Sequence, residues 1–392
     1  MNATAPAQKS TLWTRNFVIL FFANAVIGLG AALTHALLAL YCRELGADDS
    51  VVGMVSGIFA LTALAVRPIS GPAIDAWNKK KLYLVTITMN AFCTFGYGIS
   101  SSIPMIIFFR LLHGIGNGTS AALCLAMATE SLPSNKISSG IAVYMLSTVI
   151  STAVGPGIGL ALAERFGYNI TYYISASLIL AATLVGSRLD YSGVKSKPLK
   201  IRLDTVIAKE AVVPALIIAI MKFASSTIDS FLVLMVTDRE VAGLSTYYTL
   251  NAVTAVASRP LAGRIADKYG STKVLYPTLV LFMCNLILLA FCDSTWMLWL
   301  SALTHAFGYT AFYSMLQALA MKITPAERRG AGGSTCYIGT DTGALLGPIV
   351  AGEIANSFGF ETMYLYGLAP LCICAVIMTV WFKKRKAAGA VL

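Results

Sequence analysis

The chain has 392 residues, of which 57% are apolar and only 12% charged, with a mean hydropathy of +0.74. An average soluble domain carries about 25% charged residues, so a water-soluble enzyme of this size could not hide so much apolar surface. The formal net charge of +11 sits in short clusters between apolar runs, with no basic stripe and interleaved aromatics. That sets nucleic acid aside as a partner and leaves a polytopic membrane protein.

The first fourteen residues are polar and run straight into an apolar stretch, so no cleavable signal peptide is expected. A helix needs roughly 20 apolar residues to cross the hydrocarbon core. Runs of that kind begin near Phe17, Val51, Leu82, Met105, Ser138 and Ile170, and again near Ala211, Leu244, Val274, Trp296, Gly332 and Met363. They predict an all-α membrane protein of twelve transmembrane helices. The longest polar interval, 187–210, is basic and divides the spans six and six. It is read as a cytoplasmic linker between an N-terminal half, 1–186, and a C-terminal half, 211–392. With the N-terminus inside, 22 of the 29 Lys and Arg fall in inner segments. The outer loops then hold Arg43, Arg165 and Arg239, each beside an acid, and Arg67, Arg110, Lys222 and Arg259 fall inside spans. This asymmetry predicts a multi-pass cell-membrane protein with both termini cytoplasmic.

The two halves repeat. Arg67-Pro68-x-x-Gly71-x-x-x-Asp75 recurs as Arg259-Pro260-x-x-Gly263-x-x-x-Asp267, and His113 and Gly116 recur as His305 and Gly308. Gly155-Pro156 matches Gly347-Pro348 and Phe166-Gly167 matches Phe358-Gly359, every pair at an offset of 192 residues. The chain therefore reads as a duplicated six-helix unit, two pseudo-repeats around a central cavity. Gly71 and Gly263 are expected where helices approach closely, since small residues permit that contact.

Ionisable residues within spans are costly in hydrocarbon and normally face a cavity or a partner. Arg110, His113 and Asn117 share one helical face in the fourth span; Arg110 and Asn117 are candidates for substrate binding, and Arg110 and His113 for proton coupling. Lys222 and Asp229 share a face of the seventh span, about 10 Å apart by helix rise. They are expected not to pair directly but to look into one wet cavity. Asp229 is the leading candidate for proton coupling and Asp341, in the eleventh span, the second. Asn24 and His35 in the first span, and Tyr309, Tyr313 and Gln317 in the tenth, are further candidate substrate contacts. The eight cysteines lie mostly in apolar segments without metal-ligand spacing, so neither a metal nor a cofactor is expected. No metal cluster or Ser-His-Asp set supports an enzyme.

Three motifs carry a resemblance to the major facilitator superfamily, and within it to the twelve-span drug/proton antiporter branch, over essentially the whole chain. The loop Gly71-Pro72-Ala73-Ile74-Asp75-Ala76-Trp77-Asn78-Lys79-Lys80 resembles the family's G-x-x-x-D-R-x-G-R-K loop, departing from it at Ala76 and Asn78. The second copy, Gly263-x-x-x-Asp267-Lys268-x-Gly270, keeps the pattern better. Arg110-x-x-His113-Gly114-x-Gly116-x-Gly118 is similar to the family's span-four motif, and Gly155-Pro156-Gly157-x-Gly159 to the antiporter motif of exporters. The resemblance implies a conformational latch in which Asp75 faces the positive N-terminal end of the eleventh span. Arg67, Gly71 and Glu130 belong to the same cluster, and Arg259, Gly263 and Asp267 to its counterpart. Lys79–Lys81 would stand in for the arginine absent at position 76. The resemblance further implies a monomeric secondary transporter working by alternating access, with proton-coupled efflux of a small organic molecule as its activity. Import or uniport of a metabolite stays open as the second reading, and two internal cations against two acids leave the substrate's charge open.

Overall fold

The computed structural model describes residues 13–133, 137–191, 207–325 and 328–387, with the side chains at 75, 137–139, 142, 329 and 330 left aside. The Asp75 side chain and most of the basic linker, including Lys195, Lys197, Lys200 and Arg202, thus lie outside the described residues. Helices α1 (Arg15–His35) and α2 (Leu37–Glu44) form the first crossing segment. Helices α3 (Asp49–Ala76), α4 (Lys79–Ile99), α5 (Ile103–Glu130), α6 (Ile137–Phe166) and α7 (Tyr168–Gly186) complete the first six. Helices α8 (Val212–Asp238), α9 (Leu244–Tyr269) and α10 (Thr272–Ala290) follow. The tenth segment is α11 (Thr295–His305), a π-helical turn over Ala306–Thr310, and α12 (Ala311–Ile323). The last two are α13 (Arg329–Tyr366), which turns a corner at Gly359, and α14 (Leu368–Ala387).

These segments begin within a few residues of where the apolar runs place them, and capping side chains fix several of the starts. Thr14 accepts from the Phe17 amide, Asp48 from Val51 and Asn78 from Lys81, each satisfying a donor that the first helical turn leaves orphaned. Among the described residues, nine stretches are long and apolar enough to cross a bilayer unaided, and one of them, Ala331–Ala387, holds two segments. The more polar α9 and the π-broken tenth segment make up the twelve. Large apolar side chains face outward, Leu184 at 67% and Val85 at 64% exposure. A water-soluble protein would bury such residues, whereas lipid solvates them at no cost.

The internal repeat is visible in the packing. Helix α6 lies on α1 as α13 lies on α8, and α3 meets α13 as α6 meets α9. Gly167 and Gly359, 192 positions apart, adopt the same left-handed backbone (φ +85° and +81°), which glycine reaches without a Cβ clash. Small residues make the close approaches. On α13, Gly339, Gly343 and Gly347 recur every fourth residue and press on the backbone of α8 at Ala215, Ala219 and Phe223. On α6, Gly155 and Gly159 press on Ala32 and Leu33 of α1, and Gly157 on Ser245 of α9.

One expectation is corrected. Among the described residues, neither Gly71 nor Gly263 has any atom within 4 Å of where a Cβ would sit. The tight contact of α3 with α13 lies instead at Gly53 and Gly57, against Pro348, Leu345 and Gly352. Gly71 is about 27 Å further along α3 by helix rise, towards the end that carries the termini, and is exposed. The crowded end is the opposite one. There Arg43 pairs with Asp49 (2.8 Å) and, across the halves, with Asp238 (2.6 Å). Ser50 donates to Glu353 at 2.9 Å, also across the halves. At the terminal end the ion pairs among the described residues stay within a half, Lys79–Glu130 at 2.9 Å and Arg328–Glu210 at 3.4 Å.

Candidate functional site: a charged cavity between the halves

At mid-depth the two halves enclose a cavity of about 350 Å³. The first half contributes His35 from α1, Ser56 and Phe59 from α3, Tyr97 from α4, Arg110, His113 and Asn117 from α5, and Tyr172 from α7. The second contributes Lys222, Ser226 and Asp229 from α8, and Thr340, Asp341, Ala344 and Pro348 from α13. The size suits a small organic molecule, and the lining combines aromatic rings and a few aliphatic side chains with many polar and charged groups.

Arg110 is held by its own half. Its Nε donates to the Val55 carbonyl at 3.0 Å and one terminal nitrogen to the Ser56 carbonyl at 2.8 Å, while the guanidinium lies over the Phe59 ring at 4.6 Å. His113, one turn on, shares a 3.0 Å hydrogen bond between Nδ1 and the Tyr97 hydroxyl and packs edge-on against Phe59. On the facing wall, the Lys222 ammonium donates to Asp229 at 2.6 Å and lies 5.9 Å from the Tyr309 ring centroid. The expectation that these two could not pair is therefore wrong. The helix rise separates their backbones by two turns, but a lysine stem of four methylenes covers that distance, and the aspartate leans back toward the helix N-terminus to meet it.

Arg67 and Asp341 form the second pair, a forked contact of 2.7 and 3.4 Å that crosses from α3 to α13. Arg67 also stacks over Tyr337 at 4.6 Å. The sequence grouped Arg67 with the loop latch; its partner instead lies beside the cavity, in the other half. The repeat is broken here, because the position matching Asp341 is Val149, and Arg259 makes no ion pair among the described residues. Asp267 makes none among them either.

Other candidates fall elsewhere. Asn24 donates to Ser147 (2.7 Å) and Thr148 (3.1 Å), tying α1 to α6 rather than lining the cavity. Tyr309 stacks on His305 at 5.5 Å and sits behind Lys222, and the Tyr313 hydroxyl meets Thr340 at 3.2 Å. Gln317, on α12, is half-buried and away from the cavity lining. The sequence missed Ser56, Phe59, Tyr97 and Tyr172, which give the cavity its floor and ring walls. Neutral and aromatic side chains are too common in membrane helices to stand out. The Gly53-x-x-x-Gly57 spacing was a readable sign of close approach. Among the described residues no cluster of His, Cys, Asp and Glu could hold a metal ion.

Two six-helix bundles enclosing a polar cavity at mid-depth are the construction of a secondary transporter. The family model of the Major Facilitator Superfamily matches residues 20–250 and 214–391, and the chain belongs to that superfamily. It is 28% identical over 375 residues to the "Multi-drug resistance efflux pump PmrA homolog" of Lactococcus lactis, covering 88% of this chain and 91% of that one. To the "Multidrug resistance protein MdtG" of Citrobacter koseri it is 26% identical over 382 residues, covering 92% and 93%. Among solved structures, the nucleoside transporter NupG superposes with a TM-score of 0.75 at 15% identity, over 93% of this chain and 99% of that one. A bacterial homologue of the human lysosomal transporter Spinster, in an inward-facing and unoccupied conformation, superposes with a TM-score of 0.72 at 15% identity, over 93% and 94%. The protein is thus a multi-pass membrane transporter of small molecules, not an enzyme.

Proposed function

We propose that the chain is a proton-coupled exporter of small organic molecules, acting as a monomer in the cell membrane. Both termini and the linker 187–210 are cytoplasmic in this reading, and the halves 1–186 and 211–392 rock about the central cavity. The relatives with efflux names support the direction of transport. The observation that carries the mechanism is the cavity itself, lined from both halves by His35, Arg110, His113, Lys222, Asp229 and Asp341, with Arg43–Asp238 and Ser50–Glu353 bridging the halves on one side of it. With the crowded end outward, substrate reaches the cavity from the cytoplasm. Asp229 is the coupling carboxylate, because it can hold either the Lys222 ammonium or a proton. Protonation frees Lys222, and the freed cation changes the field that the substrate meets. Asp341 has the same choice between Arg67 and a proton, and that choice bears directly on the contact between halves.

The test is transport by purified protein in proteoliposomes. A library of metabolites and drugs is first screened for compounds that raise the protein's thermal stability, since bound ligand stabilises the native state. Those compounds are then offered to vesicles with an imposed pH gradient. An acidic lumen should drive accumulation of external substrate against its own gradient, and a proton ionophore should abolish it. Transport that only follows the substrate's gradient would instead assign uniport.

A further inference from the structure

Among the described residues, five charged groups lie in or beside the central cavity, and four of them cancel in pairs. Lys222 holds Asp229, and Arg67 holds Asp341. Arg110 is left. Its partners are the Val55 and Ser56 carbonyls and the face of Phe59, which orient the guanidinium without neutralising it. Near it the Tyr172 hydroxyl, on a side chain only 1% exposed that lines the cavity, has no hydrogen-bond partner among the described residues. The His35 ring and the Asn117 amide line the same space. The cavity thus offers one unbalanced cation and adaptable polar groups on one wall, with the rings of Phe59, Tyr97 and Tyr172 and the apolar Ala344 and Pro348 around them.

We infer that this cavity selects organic anions, a carboxylate, sulfonate or phosphonate group seating on Arg110 while an aromatic or aliphatic body packs on the rings. The inference rests on the transport reading and names the substrate class for the same site. A planar guanidinium fixed by two backbone carbonyls still has a terminal nitrogen to donate, and it matches the geometry of an oxyanion. A permanently cationic molecule would meet Arg110 unscreened and find both carboxylates already held by bases. Low-dielectric walls amplify that difference, since one sign of charge in a cleft raises the local concentration of its counter-ion by about 10–10³-fold.

The experiment requires neither an identified substrate nor transport. Ala31 is exposed and lines the cavity from α1. In a cysteine-free full-length chain carrying Ala31→Cys, reconstituted in nanodiscs, the thiol is modified with 2-sulfonatoethyl methanethiosulfonate and, separately, with 2-(trimethylammonio)ethyl methanethiosulfonate. Each rate is divided by that reagent's rate with a free small thiol. The anionic reagent should win by about tenfold or more at low salt, the lower end of what a charged cleft gives. Raising the ionic strength should shrink the preference. Arg110→Gln should bring the ratio to about one, and Arg110→Lys, which keeps the charge, should retain most of it. If Arg110→Gln does not fold, the native ratio and its salt dependence still decide. A native ratio at or below one, or a ratio unmoved by Arg110→Gln, overturns the inference. A chain that failed the gradient assay would still report its cavity's preference, so the two readings fail separately.

Discussion

Lys222 and Asp229 show what a single side-chain pair controls in this protein. Removing one member of a buried pair strands the other's charge, at about 3–5 kcal/mol when both are fully buried. The cost here is smaller, because the Asp229 side chain keeps 34% of its surface accessible in the cavity. Asp229→Asn should therefore lower the melting temperature of the purified protein, and Lys222→Met combined with Asp229→Asn should restore most of the loss. Function should not follow stability. The double variant should exchange substrate at equal pH yet fail to accumulate it against a gradient, since the coupling carboxylate is gone. Gradient-driven accumulation by the double variant would move coupling to Asp341. That second pair has its own signature: Arg67→Gln and Asp341→Asn should each weaken the contact between α3 and α13, whereas the swap Arg67→Asp with Asp341→Arg should recover part of it. An allosteric coupling of about 1–3 kcal/mol is enough to move a two-state equilibrium, so the readout is the rate of transport rather than expression. The sequence identified Arg110, His113, Asn117, Lys222, Asp229 and Asp341 as internal and polar, because hydrocarbon makes each of them conspicuous. It could not show which of them pair. Arg67 and Asp341 are far apart in the chain and meet through the fold alone, and the reach of a lysine stem depends on its rotamer, not on residue spacing.

At the level of helices, glycine decides where the halves touch. The backbone contact of Gly53 with Pro348 and Gly352 leaves no room for a side chain, whereas the site at Gly71 is open among the described residues. Gly53→Val should push α3 away from α13 and disfavour the state in which the crowded end is closed. Transport should fall by about tenfold or more, as expected for a closed state raised by roughly 1.4 kcal/mol or more, since overpacking typically costs about 1–3 kcal/mol. Gly71→Ala should leave the melting temperature unchanged or slightly raised, as alanine stabilises a helix relative to glycine. Equal damage from the two would mean that Gly71 is also packed in a state the chain visits during its cycle. The same scale separates what the apolar pattern reveals from what it hides. Span positions were legible because a bilayer demands about 20 apolar residues per crossing. The bend between α1 and α2, and the π turn that stacks His305 on Tyr309, leave no mark in hydropathy. Both copies of the Arg-Pro-x-x-Gly motif read alike, yet Arg67 finds a carboxylate across the interface and Arg259 finds none among the described residues. Repeats in sequence specify equivalent helices, not equivalent contacts.

For the whole molecule, alternating access requires two conformations of nearly equal free energy, because a ligand shifts an equilibrium only by its differential affinity for the two. The contacts that bridge the halves at the crowded end suit that requirement. Among the described residues they include one ion pair, Arg43 with Asp238, hydrogen bonds from Ser50 to Glu353 and from Thr249 to the Ala153 carbonyl, the stacking of Arg43 over Phe360, and glycine packing. Exposed ion pairs contribute about 0–1 kcal/mol each, so this end can open at modest cost once substrate and proton favour it. If the halves part there in every cycle, a covalent tie must stop the cycle. In a cysteine-free chain, Ser50→Cys with Glu353→Cys should be joined by a short bis-methanethiosulfonate reagent in the absence of substrate, because the native side chains meet at 2.9 Å. Joining them should abolish gradient-driven transport, and a reductant should restore it. A matched pair at the terminal end, Gly71→Cys with Gly333→Cys, has no described atom within 4 Å of either position and should not be joined under the same conditions. It should be joined only when substrate and a pH gradient drive the chain through its cycle. Full transport with Ser50→Cys and Glu353→Cys joined would show that the crowded end never opens, and alternating access about this cavity would then be wrong.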